Sequence, residues 1–324
     1  MNIVANFKSQ YKQKLLLGIL IYLGTQITVF AQLDTQFSQY MFNKANLNPA
    51  AVGEQQMMHA FASYRMQWIG ISNAPRTTLV SLNAPFNILK TSHGAGINLI
   101  NDRSGIFSNV QFDVQYAYKF KVWNGDLSVG ANLGFINITC YGDSAKNVES
   151  EYHVAEDPAI PNGTKSGTGF DFGVGVYYSD KSTHMGISLL RIPAPTIAFD
   201  DNAEFVTKQL LTVMGGYNFQ LKKDFQLKPA IMIMSDFVSW QMNINLLLDY
   251  KEKYWGGLSY RIQDAVSFLL GIKVLNGLSI GYAYDLPASK IITASHGSHE
   301  LFLSYEFGLS FGKKDKKYKS VRIL

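Results

Sequence analysis

The chain has 324 residues, of which only 16% are charged while 13% are aromatic, with 27 glycines and 18 tyrosines; a soluble domain usually carries nearer a quarter charged residues. A single cysteine, Cys140, excludes an internal disulfide framework, and no apolar motif around it supplies the His partner that a catalytic thiol needs. The formal charge of +5 would ordinarily suggest nucleic acid or acidic lipid, but the excess lies at the ends: Lys8, Lys12 and Lys14 near the start, and six Lys or Arg against Asp315 in 312–324. The body between them is mildly acidic and has no nucleic-acid footprint.

Taken from the start, the three lysines precede an apolar run, 15–30, that closes on Val29-Phe30-Ala31, the small-residue pattern of a secretory leader cleaved after Ala31. The run is broken by Gly24, Thr25, Gln26 and Thr28 and has no basic stop behind it, which argues against a membrane anchor. Gln32 at the cut excludes a lipoprotein. After it no stretch has the length of a membrane-spanning helix, so the exported chain either is soluble or crosses a bilayer as strands.

Next comes Gln36-Phe37-Ser38-Gln39-Tyr40-Met41-Phe42-Asn43, an octapeptide without charge. Phe37, Tyr40 and Met41 fall at i, i+3 and i+4, which predicts one helical turn with those three on a shared face, Ser38 and Gln39 turned away, and Asn48-Pro49 as the stop. So short a helix needs docking, and the glycine- and serine-lined mouth or interior of a barrel is its expected seat.

From there the chain alternates. In β-like segments such as 111–118, Phe112, Val114, Tyr116 and Tyr118 share one face against Asp113, Gln115 and Ala117, a period of two that marks a strand between two media. The pattern predicts strands at 57–68, 75–84, 94–101, 110–120, 126–139, 169–178, 183–190, 209–219, 225–234, 240–250, 254–261, 267–274, 278–286 and 299–311. A β-sandwich would alternate too, but it would not sort its connections. Here mostly short ones (85–93, 121–125, 179–182, 220–224, 251–253, 275–277) alternate with connections that include the long 141–168, 191–208 and 287–298, the asymmetry of an outer-membrane barrel with both termini in the periplasm. The expected fold is all-β: a transmembrane antiparallel barrel of about fourteen strands. Phe120, Tyr177, Tyr178, Tyr254 and Trp255 are the expected aromatic girdles. The resulting plan has a leader at 1–31, an N-terminal plug or periplasmic contact at 32–56, the barrel at 57–311 and a basic periplasmic tail at 312–324.

Chemistry-bearing motifs are few. Gly94-Ala95-Gly96 and Gly173-Val174-Gly175 follow strand alternation and lead into no helix, so they are not phosphate loops. His296-Gly297-Ser298-His299-Glu300 holds three metal-ligand types in five positions, but it crosses from loop to strand, where neighbours point oppositely. No Ser, His and acid are marked out as a nucleophilic set. The expectation is a protein that is not an enzyme and has no cofactor.

The order of motifs resembles the PorP/SprF outer-membrane proteins of the Bacteroidetes type IX secretion system. The resemblance rests on Gln36 to Asn43, Asn48-Pro49-Ala50 and Gly53, 64–70 (YRMQWIG), 74–77 (APRT), 100–105 (INDRSG), 116–118, 254–261 (YWGGLSYR), 281–285 (GYAYD) and 297–300 (GSHE). Lys44-Ala45-Asn46-Leu47 departs from it, standing where an apolar or proline-containing linker is usual. The resemblance implies a non-enzymatic part in exporting, or attaching to the surface, cargo proteins with C-terminal sorting domains, including gliding adhesins or secreted proteases. It also implies contact with periplasmic or lipoprotein subunits of the same machine, in a setting of outer-membrane lipid. The candidate partner contacts are Phe37, Tyr40, Met41 and Phe42 in the N-terminal segment, Glu149, Glu151, Glu156 and Asp157 in the longest loop, and Lys313, Lys314, Lys316 and Lys317 in the tail. A channel for small hydrophobic molecules, with the N-terminal segment as its hatch, is the alternative.

Overall fold

The computed structural model describes residues 35–55, 57–144, 161, 163–200, 203–275 and 277–308. The leader, the acidic stretch of the longest loop and the basic tail lie outside the described residues. In chain order the strands are β1 (Met58–Met66), β2 (Arg76–Ile88), β3 (Thr91–Ser104), β4 (Phe107–Val122), β5 (Gly125–Tyr141), β6 (Thr164–Ser179) and β7 (Thr183–Leu190). There follow β8 (Thr196–Asp200), β9 (Ala203–Val206), β10 (Leu210–Tyr217), β11 (Phe219–Lys222), β12 (Phe225–Ser235) and β13 (Trp240–Tyr250). The last are β14 (Tyr254–Arg261), β15 (Ala265–Leu275), β16 (Leu278–Pro287) and β17 (Ser298–Phe307).

β8 and β9 form a separate hairpin, and β11 continues β10 past a bend at Asn218; the remaining strands make a closed antiparallel barrel of 14 staves. β10 pairs with both β7 and β12, and β17 returns to β1, so the wall has no edge and every ladder group can be satisfied within it.

The alternation sets which way the protein is turned. On β4, Val114 and Tyr116 are 51% and 49% exposed while Asp113 and Gln115 are 4% and 3% exposed. The same inversion holds on β17, where Leu301, Leu303 and Tyr305 face out and Glu300, Phe302 and Ser304 face in. An apolar exterior around a polar interior is favourable only where hydrocarbon replaces water on the outside. No helix among the described residues is long and apolar enough to cross a membrane; the strands do so.

At one end every connection between barrel staves is short, as at 89–90, 123–124, 180–182, 223–224, 251–253 and 276–277. The opposite end has the long connections 67–75, 142–163, 191–209 and 288–297, although 105–106, 236–239 and 262–264 are short there as well. Leu89 and Lys90, both at positive φ, make a turn whose twist matches that of the strands it joins.

All fourteen expected strands are present, β7, β13 and β14 with the expected limits, and β17 is described to Phe307. The hairpin β8–β9 was not expected, since five and four residues beside Pro193 and Pro195 carry too short a period to stand out. Two girdle residues need correction. Tyr177 and Trp255 are buried in the lumen, because adjacent strand residues point to opposite faces and only one member of Tyr177-Tyr178 or Tyr254-Trp255 can meet lipid.

Candidate functional site: the occupied lumen

The N-terminal segment lies inside the barrel. Instead of the expected helix it forms three short 3-10 turns, Tyr40–Phe42, Lys44–Asn46 and Pro49–Ala51. Asn48-Pro49 therefore begins a turn where a stop was expected: the Asn48 side chain accepts from the Ala50 N–H at 2.9 Å, and proline supplies the first residue.

The first half of this plug is held by charge. The Ser38 hydroxyl donates to the Asp285 carboxylate at 2.7 Å and accepts from Arg65 at 2.9 Å and Arg261 at 3.0 Å. The Ser38 and Gln39 N–H groups donate to the two Glu300 oxygens at 2.7 and 3.0 Å. Arg65 also pairs with Asp285 at 2.6 Å and Glu300 at 3.1 Å, and Arg261 pairs with Asp264 at 2.7 Å. Burying such ions is unfavourable unless geometry and further hydrogen bonds compensate; Ser38 and Gln39 supply those bonds from the plug. Phe42 then packs between Trp255 and Phe302, with ring centroids 5.1 and 4.7 Å away.

The second half is held by amides, hydroxyls, one wall lysine and close approach. Gln115 donates to the Ala45 carbonyl at 2.8 Å, Ser188 to the Leu47 carbonyl at 2.6 Å, and Asn48 to the Val176 carbonyl of the wall at 3.0 Å. Gly53 offers its N–H to Asn83 and its carbonyl to Lys119. A methyl group at Gly94 would land on the Val52 carbonyl, and one at Gly175 on the Asn48 side chain; glycine lets the plug reach the wall there. Lys44 and Glu54 pair at 2.9 Å beneath the Tyr177 hydroxyl, which donates to Glu54 at 2.7 Å. Burial opposes the Glu54 charge, but Lys44 and Tyr177 together outweigh it and hold the carboxyl below its ordinary range.

Of the expected contacts, Phe37 and Tyr40 are buried, and Met41 and Phe42 partly so. The expected helical face is corrected: Ser38 and Gln39, expected to turn away, are more deeply buried than Phe37 or Tyr40, because the wall encloses the segment on that side as well and Glu300 accepts from both of their N–H groups. Glu149, Glu151, Glu156, Asp157, Lys313, Lys314, Lys316 and Lys317 lie outside the described residues. Arg65, Arg261, Asp285 and Glu300 each fall in one of the family-like motifs, and Glu300 is expected at the lumen or rim, but nothing in the sequence joins the four; the signal of each is a lone charge on the polar face of a strand whose other face is apolar.

Among the described residues no group of three or more His, Cys, Asp or Glu could hold a metal. His299 bonds the Tyr282 hydroxyl on the outer side of β17 while its neighbour Glu300 faces the lumen, as strand alternation demands.

An edgeless wall, an apolar belt and a lumen filled by the chain's own beginning define an integral β-barrel of the outer membrane. Residues 29–305 match the family of the type IX secretion system membrane protein PorP/SprF. The chain belongs to that family of secretion-system membrane proteins. No curated protein matches it. Among solved structures it is similar to the Ralstonia pickettii toluene transporter TbuX (11% identity, 81% of this chain and 93% of that one, TM-score 0.47). It is also similar to Acinetobacter baumannii Omp33 (6%, 79% and 100%, 0.47) and a Pseudomonas aeruginosa FadL homologue (10%, 80% and 93%, 0.47).

Proposed function

We propose that this protein serves type IX secretion as a plugged docking station in the outer membrane. It acts in the export or surface attachment of proteins with C-terminal sorting domains, and those proteins do not pass through its lumen. The carrying observation is the occupied interior: wall side chains bond the Ser38 and Gln39 N–H groups, the Ala45 and Leu47 carbonyls, and both main-chain groups of Gly53. A segment held along its main chain at so many points is a fixture, and contacts with other proteins then belong to the two ends. On this proposal the long-loop end faces outside and receives the sorting domain, with Glu149, Glu151, Glu156 and Asp157 in its longest loop. The short-turn end and the C-terminal tail with the lysines of 313–317 face the periplasmic or lipoprotein subunits, whereas Ser38 and Gln39 sit at the long-loop end, beside the last residues of β1 and β14.

Deletion of the gene should leave folded cargo in the periplasm; normal surface display in the deletion strain would refute the proposal. Affinity purification from outer membranes should recover cargo or secretion subunits. The alternative, a channel for small hydrophobic molecules, gains little from a lumen lined by Asn98, Asp113, Asn132, Asp171 and Asn243; it requires the purified protein to bind or pass such a molecule alone.

A further inference from the structure

The hairpin β8–β9 is built into the long-loop mouth on the inner side of the wall. Ile197 packs on the lumen-facing Ile136 and Ile138, joined by Phe107 and Phe199, and Gly167 of β6 has no side chain where Ile197 sits. The base is pinned by the Thr207 N–H and hydroxyl, both donating to the Pro195 carbonyl at 3.2 and 2.8 Å, by Arg191 donating to the Lys208 carbonyl at 2.9 Å, and by the Lys208–Asp236 pair at 2.9 Å. β8 is thus fixed against the barrel.

β9 is not covered in the same way. Its only strand partner among the described residues is β8, and Glu204, Phe205 and Val206 are exposed in succession, Phe205 at 37% and Val206 at 58%. Phe205 leans on Phe107 of the wall, ring centroids 5.8 Å apart, so what stands open is Glu204, Val206 and the main-chain donors and acceptors of an edge that has no further strand partner among the described residues. Natural edges are blunted by shortness, charge, proline or a bulge; β9 is short and carries Glu204 but has no lysine or proline, and the hairpin's irregularity lies at its tip, between Ala198 and Asp200. Lipid does not account for the exposure, because the hairpin is anchored to residues of the lumen face. Glu204 makes no ion pair among the described residues, whereas Lys208 of the same connection is already paired.

We infer that the outer edge of β9 is a strand-addition site for an extended segment of an exported protein, carrying alternate apolar residues and a basic residue opposite Glu204. This rests on the docking function proposed above and names the surface that performs it.

The test uses the full-length protein in detergent and, as probe, the recombinant C-terminal domain of a protein that the deletion strain retains in its periplasm. Binding should slow amide exchange at 204–206. Glu204→Lys should weaken binding about tenfold, and Val206→Pro should abolish the protection while the barrel keeps its heat-shifted mobility on gels. A photo-crosslinking residue at Val206 should capture the probe, and one at Ile292, exposed at the same end, should not. Unchanged affinity in both variants, or binding without protection at 204–206, overturns the edge site and leaves the docking function standing. No binding to the unaltered protein overturns both.

Discussion

Residues 37–43 and 44–54 meet one continuous wall, yet the two stretches are held by different chemistry. The first is gripped from β1, β14, β16 and β17 by Arg65, Arg261, Asp285 and Glu300. The second rests on β2 to β7, where amides, a hydroxyl, one lysine and the bare backbone of glycines make the contacts. Charge fixes orientation strongly at one point and makes each partner depend on the others. Close approach spreads its contribution over many contacts, each of which tolerates the loss of its neighbour but not added volume.

The contrast can be broken most severely at Arg65. Arg65→Met leaves Asp285 and Glu300 buried with Arg261 alone nearby, and should cost about 3–5 kcal/mol, seen as a lower urea midpoint and as proteolysis within 35–55. Gly94→Val should cost about 1–3 kcal/mol through overpacking against Val52. Amide exchange should then quicken across 44–54 and stay slow at Ser38 and Gln39; uniform loosening would mean that the halves are one cooperative unit. Ser38→Ala removes the hydroxyl shared by both arginines and should cost about 1.5 kcal/mol, as for hydrogen bonds to charged groups, with protection lost first at 38–39. The smallest effect concerns pH. Glu54 is held below its ordinary value of about 4.3, so its contribution, under about 1 kcal/mol, is complete at neutral pH and is lost as pH falls through the depressed folded value. Protection factors across 44–54, each taken relative to the intrinsic exchange rate at that pH, should be unchanged between pH 8 and 6 and smaller near pH 3.

The barrel was legible in the sequence because its period is carried by many residues: on β4 and β17 each outward apolar side chain repeats the same message about two media. The glycines of the lumen were legible as room for either a narrow channel or a plug, and at Gly94 and Gly175 that room is taken by the plug. The clamp was not, because its members lie far apart in the chain, Ser38 and Glu300 being separated by 262 positions, and each alone is an ordinary strand charge. The plug's conformation failed for a related reason. An i, i+3, i+4 pattern reports a helix only where one side meets a core and the other meets water, and here the side expected to meet water meets wall; Ser38 and Gln39 are more deeply buried than Phe37.

Arg65 and Glu300 stand opposite each other on β1 and β17, the two staves that join when the cylinder closes. Both bond Ser38, which precedes either strand in the chain. The ladder between the first and last staves thus closes around a residue that precedes both, and the wall is wound around that segment as around a mandrel. A chain whose start is absent or misplaced would join those staves around two guanidiniums and a carboxylate that lack the hydroxyl they share, and around Glu300 without its two main-chain donors.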